Sequence, residues 1–289
     1  MVIKVKGKLK PYLLLFPALF ILLGIMITGL GTAAMQSLGY FPEAGLHKLT
    51  LKYYLEVLKN KEFIHSLGFS LYISLTTSAA AIILGVLIAY CMLQRKESKH
   101  KSEFLYKLPI MVPHTVAVIL IYNILSQSGV LPRVLYCLGV IKEQGDFPNL
   151  IFDTHGLGVI FTYLWKEIPY AAMVTYSVLS NINKNIFYAA RSLGASKSQV
   201  FINVQLPLMK QSVISSFIII FAFSFGAFEV PYLLGPTSPQ ALPVKAFVEY
   251  SNPVLENRPY AMVINMVLIF AAFLLMYLYE KSFKYIYRN

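Results

Sequence analysis

Six stretches of this chain are predominantly apolar over about 20 residues or more: 12–34, 64–93, 105–127, 156–180, 209–235 and 260–279. At about 1.5 Å of rise per residue, each is long enough to cross the ~30 Å hydrocarbon layer of a bilayer as a helix. Inside lipid the backbone must satisfy its own polar groups, so a segment of this kind can be helical or part of a closed barrel and little else. With 57% hydrophobic and 13% charged residues, the chain is too apolar for an ordinary soluble domain. We expect an all-α membrane protein with about six transmembrane helices. Five is the alternative, because Pro109, Pro113, Glu229 and Pro231 interrupt the third and fifth runs. There is no internal repeat and no low-complexity linker, so residues 1–289 are expected to form a single membrane domain. The first run follows four lysines, as a signal peptide would, but outlasts the roughly 7–15-residue core of one. We read it as a retained span.

Charge orients the spans. With the N-terminus inside, the inner segments hold Lys4, Lys6, Lys8, Lys10, Arg95, Lys96, Lys99, Lys101, Lys107, Lys184, Arg191, Lys197, Lys210, Lys281, Lys284 and Arg288. The outer loops hold half as many: Lys48, Lys52, Lys59, Lys61, Arg133, Lys142, Lys245 and Arg258. Acids run the other way. The positive-inside bias places both termini in the cytoplasm, and it accounts for the net charge of +12 without nucleic acid as a partner. Cys91 then lies at an inner helix end and Cys137 in an outer loop, so the two cannot pair. The basic stretch at 94–104 reads as an inner hinge, and the loop at 35–63 carries a solvated helix. The loop at 128–155 reads as an exposed cap, and the proline-rich loop at 236–259 as irregular and stiff.

One inner segment, about 182–207, does not read as a simple connection. "NKNIFYAARSL" suits a helix in which Ala189 and Ala190 admit close approach of another backbone. Gly194 followed by Ala195 is a natural stop, since glycine enters the left-handed region at little cost. Ser196 and Gln199 have capping-box spacing for a second helix. In that helix Val200, Phe201 and Val204 form an apolar stripe, and Leu206-Pro207 is expected to close it. A helix–turn–helix of this shape fits either a groove on a partner protein or the surface of anionic lipid.

The same residues carry a family resemblance. Ala189, Ala190, Gly194, Val204, Leu206 and Pro207 fall at the spacings of the Glu-Ala-Ala loop of permease subunits in binding-protein-dependent ABC importers, the type I, MetI-like class. Tyr188 stands where that pattern has glutamate, and Val204 where it has isoleucine. The resemblance extends through "LPIMVPHTVAVIL" and "WKEIPYAAMVTYSVLS" over about 64–280, leaving 12–34 as an extra N-terminal span. It implies a MetI-like permease fold in a bacterial cell membrane, with a cytoplasmic coupling helix that docks on a separate ATPase. The implied partners are two ATPase subunits, a second homologous permease or a copy of this chain, an extracellular solute-binding protein and the lipid bilayer. No cofactor is implied for this chain itself; ATP and magnesium would belong to the partner ATPase. The chain accordingly shows no G-x-x-x-x-G-K-[ST] phosphate loop.

Lys166, Glu167 and Glu229 fall within predicted spans. Charges there are costly in lipid and face protein or water, so these three are expected along the translocation path, in structural pairs such as Lys166 with Glu229, or snorkelling to the outer interface. "FGAFEVPYLLGPTSPQALPV" is similar to the corresponding segment of permeases for polyamines and for phosphonates. That similarity implies a polyamine as solute, with 2-aminoethylphosphonate, iron or thiamine as alternatives. Two other classes lack support. The five histidines show no metal-ligand spacing and there is no nucleophile elbow, so we expect no enzyme. A gradient-driven transporter would show inverted repeats and paired broken helices.

Overall fold

The computed structural model describes residues 10–94 and 107–288. Lys4, Lys6 and Lys8 and the basic inner stretch at 95–104 lie outside the described residues. The chain packs as two compact units, one from the chain up to Asn60 with Ala246–Val267, the other from Lys61–Lys245 with the chain from Leu268 onward.

The first unit begins with helix α1 (Lys10–Ser37), whose apolar side chains are exposed along most of its length, as lipid-facing residues are. A two-residue hairpin follows, β1 (Tyr40–Phe41) pairing antiparallel with β2 (Leu46–His47). Gly39 makes the turn into it at φ +81°, where a Cβ would lie 2.7 Å from the Tyr53 ring, so glycine is required twice over. Helix α2 (Lys52–Lys59) is the surface helix expected at 35–63, but one of its faces is held. Val57 is buried, the Tyr54 hydroxyl meets Ser37 Oγ at 2.9 Å, and Tyr53 lies edge-on to Tyr260 at 5.1 Å.

The second unit is built around α3 (Lys61–Gln94) and α6 (Leu157–Asn181). Along α3 the buried face is small and weakly polar: Ser66, Ser70, Ser74, Thr77, Ser78, Ala81, Gly85 and Ala89. Small residues let membrane helices approach closely where lipid removes the hydrophobic incentive to associate. Two of the serine hydroxyls are satisfied within the helix, Ser74 Oγ donating to the Ser70 carbonyl at 2.7 Å and Ser78 Oγ to the Ser74 carbonyl at 2.5 Å. Closest approach is at Gly85, where a Cβ would stand 2.5 Å from Ala171 Cβ and 2.9 Å from the Ala172 amide nitrogen.

The third apolar run is not one helix. It is helical at 107–111, breaks at Val112-Pro113 and resumes as α4 (His114–Leu125). The loop expected as an exposed cap carries α5 (Val130–Cys137) and is anchored by buried Phe147 and Ile151, with the Phe152 amide donating to the Leu234 carbonyl. The inner segment contains α7 (Lys184–Ser192) and α8 (Lys197–Val200), and the fifth run becomes α9 (Leu206–Gly226) followed by the short α10 (Glu229–Leu234). The proline-rich loop at 236–259 is not irregular throughout, for it forms α11 (Leu242–Tyr250). Pro243 falls in the first turn, where its missing N–H has no intrahelical role, and the Leu242 amide donates to Ser70 Oγ instead, at 2.6 Å. Helix α12 (Arg258–Arg288) completes the chain.

Among the described residues, five helical stretches are long and apolar enough to cross a membrane: Leu14–Ser37, Lys61–Gln94, His114–Cys137, Lys197–Gly226 and Leu255–Lys281. The sixth expected span, 156–180, is the 25-residue α6. It has the length but not the apolarity, because Lys166 and Glu167 sit at its centre. Nine of its residues are buried against other elements, and a helix enclosed by protein need not present an apolar face to lipid. The packing at Gly85 yields a test. Gly85→Val is expected to push α3 from α6 and cost roughly 1–3 kcal/mol, read as a lowered melting temperature in detergent; an unchanged melt would contradict the close approach.

Candidate functional site

The inner loop folds as two short helical pieces about a glycine hinge. Asn183 caps α7, its side chain accepting from the Asn185 amide at 3.0 Å. At the other end, Leu193 N–H donates to the Ala189 carbonyl and Ala195 N–H to the Ala190 carbonyl, which satisfies groups a helix end would orphan. Between them Gly194 adopts φ +89°. Nothing lies within 4 Å of where its Cβ would be, so glycine is there for backbone conformation and not for space. The capping box forms in both directions: Gln199 N–H donates to Ser196 Oγ at 3.3 Å, and Ser196 N–H to Gln199 Oε1 at 2.8 Å.

Two expectations change here. Leu206-Pro207 does not close the second helix; α8 passes through a π-helical stretch, Phe201–Gln205, directly into α9. The wider turn and the start of a new α-helical register accommodate a proline that could not donate to the preceding turn. The stripe, expected on the outer surface where a partner could take it, faces the bundle instead. Val200 is buried, Val204 half-buried, and the Phe201 ring packs on Tyr90 of α3 with centroids 4.5 Å apart. These side chains tie the loop to its own bundle. What the loop presents outward is Leu193, 89% exposed, and Tyr188, 64% exposed, with Ile186 and Ile202 beside them. An apolar residue next to a helix-ending glycine was the available signal for Leu193.

Of the three charges of the predicted spans, Lys166 and Glu167 are neighbours on α6 and Glu229 stands on another element. Lys166 is 6% exposed. Its ammonium donates to the Pro109 carbonyl at 3.1 Å and also to the Val112 carbonyl. Both carbonyls belong to the helix end broken at Pro113, so Lys166 is a cap delivered from another helix, and the expected pairing with Glu229 does not form. Glu167, the next residue, is half-buried. Glu229 lies beyond the end of α9, not within a span: the chain leaves helical geometry at Ala227 and restarts with Glu229 as the first residue of α10. There it lines a cavity of about 270 Å³ with His114, Phe223, Ala227, Phe228 and Val230. Replacing the cap with an apolar residue of similar length tests its role. Lys166→Met is expected to cost about 1–3 kcal/mol through the unsatisfied carbonyls, seen as a lower thermal midpoint in detergent; equal stability would remove the cap from the account.

Comparison with known proteins places this geometry. Residues 81–284 match the family described as binding-protein-dependent transport system inner membrane component. The chain is 27% identical to the probable ABC transporter permease protein YurN of Bacillus subtilis over 292 residues, spanning 96% of this chain and 97% of that one. It is 33% identical to the spermidine/putrescine transport system permease protein PotB of Escherichia coli over 186 residues, 63% of this chain and 62% of PotB. In fold it is similar to a chain of a bacterial ABC transporter involved in the import of the acidic polysaccharide alginate. That match has a TM-score of 0.74 and 16% identity, and covers 97% of each chain.

Proposed function

As a member of the family of binding-protein-dependent transport system inner membrane components, this chain is a multi-pass permease of the type I ABC importer class, and we propose that it passes a polyamine such as spermidine or putrescine into the cytoplasm. The observation that carries the solute reading is the similarity to PotB. A lone carboxylate, Glu229, in a cavity otherwise lined by aromatic and apolar side chains and His114 is consistent with a cationic solute. Fold alone does not select a solute, since the alginate transporter shares it. The alternatives are therefore 2-aminoethylphosphonate, iron and thiamine.

In this reading a binding protein outside delivers the solute, and two ATPase subunits bind ATP and magnesium inside. A second homologous permease, or a copy of this chain, completes the pathway. The loop Ala189–Pro207 docks on one ATPase, and closure of the ATPase pair shifts the bundle between outward- and inward-open states. The protruding apolar side chain is Leu193 and the bend is held by Gly194, with Val200 and Phe201 as the rigid link to α3. Tyr188, exposed beside them, takes the place of a carboxylate and offers a ring and a hydroxyl to the partner. Both termini lie in the cytoplasm.

Three experiments bear on this reading. In cells with and without the gene, labelled spermidine, putrescine, 2-aminoethylphosphonate, thiamine and ferric iron are offered in turn; selective loss of polyamine uptake is expected, and loss of another solute alone would replace the assignment. Leu193→Glu is expected to lower uptake at least about tenfold at unchanged membrane abundance, the effect of burying an unpaired charge in an interface. Gly194→Arg adds a backbone cost of roughly 1–2 kcal/mol at the bend. Normal uptake by both variants would remove the loop from coupling. For topology, a membrane-impermeant maleimide applied to intact cells is expected to label Cys137 and spare Cys91, both exposed free thiols; the reverse pattern would invert the chain.

A further inference from the structure

The break between α9 and α10 creates a site as well as a bend. Helix α9 ends at Gly226, so the first turn of α10 stands free of it and Glu229 opens onto the cavity it shares with α4. Among the described residues no hydrogen bond or salt bridge engages the Glu229 carboxylate. His114 belongs to the same lining, its Nε2 shielded from solvent and without a hydrogen-bond partner. The His114 ring rests on Phe223 with centroids 4.8 Å apart, and Phe223 in turn meets the fully buried Tyr163 edge-on at 6.2 Å. The phenol of Tyr163 is also without a partner. An unpaired carboxylate and the aromatic rings of His114, Phe223 and Phe228 thus line one small space.

We propose that this cavity is a subsite for one primary ammonium group of the passing solute. Glu229 is the counter-charge, the Phe223 ring provides the cation–π face, and the His114 ring forms part of the wall. The inference rests on the amine reading given above and deepens it to named residues. The lining contains a carboxylate and no cationic side chain, which favours a cation over an anion. Of the other charges of this region, neither Lys166 nor Glu167 is part of the lining, and Lys166 is engaged by the carbonyls of Pro109 and Val112. A metal ion would need more ligands than one carboxylate and one imidazole, and no cluster of three such residues occurs among the described residues. At about 270 Å³ the space falls below that of sites that enclose a whole drug-sized ligand. It therefore takes one end of an extended amine, and a flexible polyamine would pass end first.

The test uses the full importer in native membranes and a photoreactive probe, an azidobenzoyl spermidine that keeps a free primary amine. Light is expected to attach the probe to the peptide containing Phe223–Val230, and excess spermidine to prevent this. Glu229→Gln, which keeps size and shape, is expected to lower the labelling about tenfold, in line with removal of one charge-assisted hydrogen bond. Phe223→Leu is expected to lower it about threefold and Phe223→Tyr to preserve it. Labelling elsewhere in the chain, or equal labelling of Glu229→Gln, would overturn the subsite. Spermidine uptake by the unaltered importer is measured in parallel. If it is absent, the amine reading falls and the subsite with it; if it is present while Glu229→Gln labels normally, only the subsite falls.

Discussion

A helix that breaks inside a membrane leaves carbonyl oxygens that water cannot reach, and each must find a donor from the protein. In this chain the donor is the Lys166 ammonium, which spans from the middle of α6 to the Pro109 and Val112 carbonyls at the end of the broken third run. Much else depends on that contact. It explains how a lysine is tolerated at the centre of a buried helix, and why α6 can stay less apolar than its neighbours. It also fixes the start of α4, and so the position of His114 on the cavity that Glu229 lines. The close packing of α3 on α6 through Gly85 and Ala171 holds α6 in the place from which Lys166 can reach.

The inner loop shows the same economy of means at the opposite end of α9. A capping box, a left-handed glycine and a π-helical stretch convert a surface bend into the first turns of a long membrane helix without a flexible joint. From Val200 to Gly226 the chain is continuously helical, ~39 Å at 1.5 Å per residue. A displacement at the loop would therefore be carried to the break beside Glu229 as motion of a rod. The buried Val200 and the Phe201–Tyr90 contact pass the same displacement to α3. This is a physical basis for the proposed coupling of an ATPase on one side to the proposed solute cavity near the other.

Local chemistry was legible in the sequence and long-range chemistry was not. Gly194, Ser196 and Gln199 could be read because caps and left-handed glycines are decided within a few residues, and the apolar runs because lipid imposes a length. Pro207 misled because a proline read alone ends a helix, whereas the π-helical turn before it changes the register in which its missing N–H would count. Pro243 misled for a related reason, a first-turn proline being compatible with the helix that follows. The partner of Lys166 lies more than 50 residues back in the chain and is a pair of backbone oxygens, which no side-chain pattern announces. The direction of the Val200 stripe depended on where Tyr90 would stand, again a matter of tertiary contact.

The central claim is that this chain is the passive half of an ATP-driven machine, with solute movement commanded from the loop at Ala189–Pro207. The most direct measurement reconstitutes the chain with its ATPase, companion permease and binding protein in sealed proteoliposomes, and follows labelled spermidine with either ATP or an imposed ion gradient as the energy source. The account predicts accumulation with ATP and binding protein together, none with the gradient alone, and none when the ATPase is omitted. Accumulation driven by the gradient without ATP would contradict it.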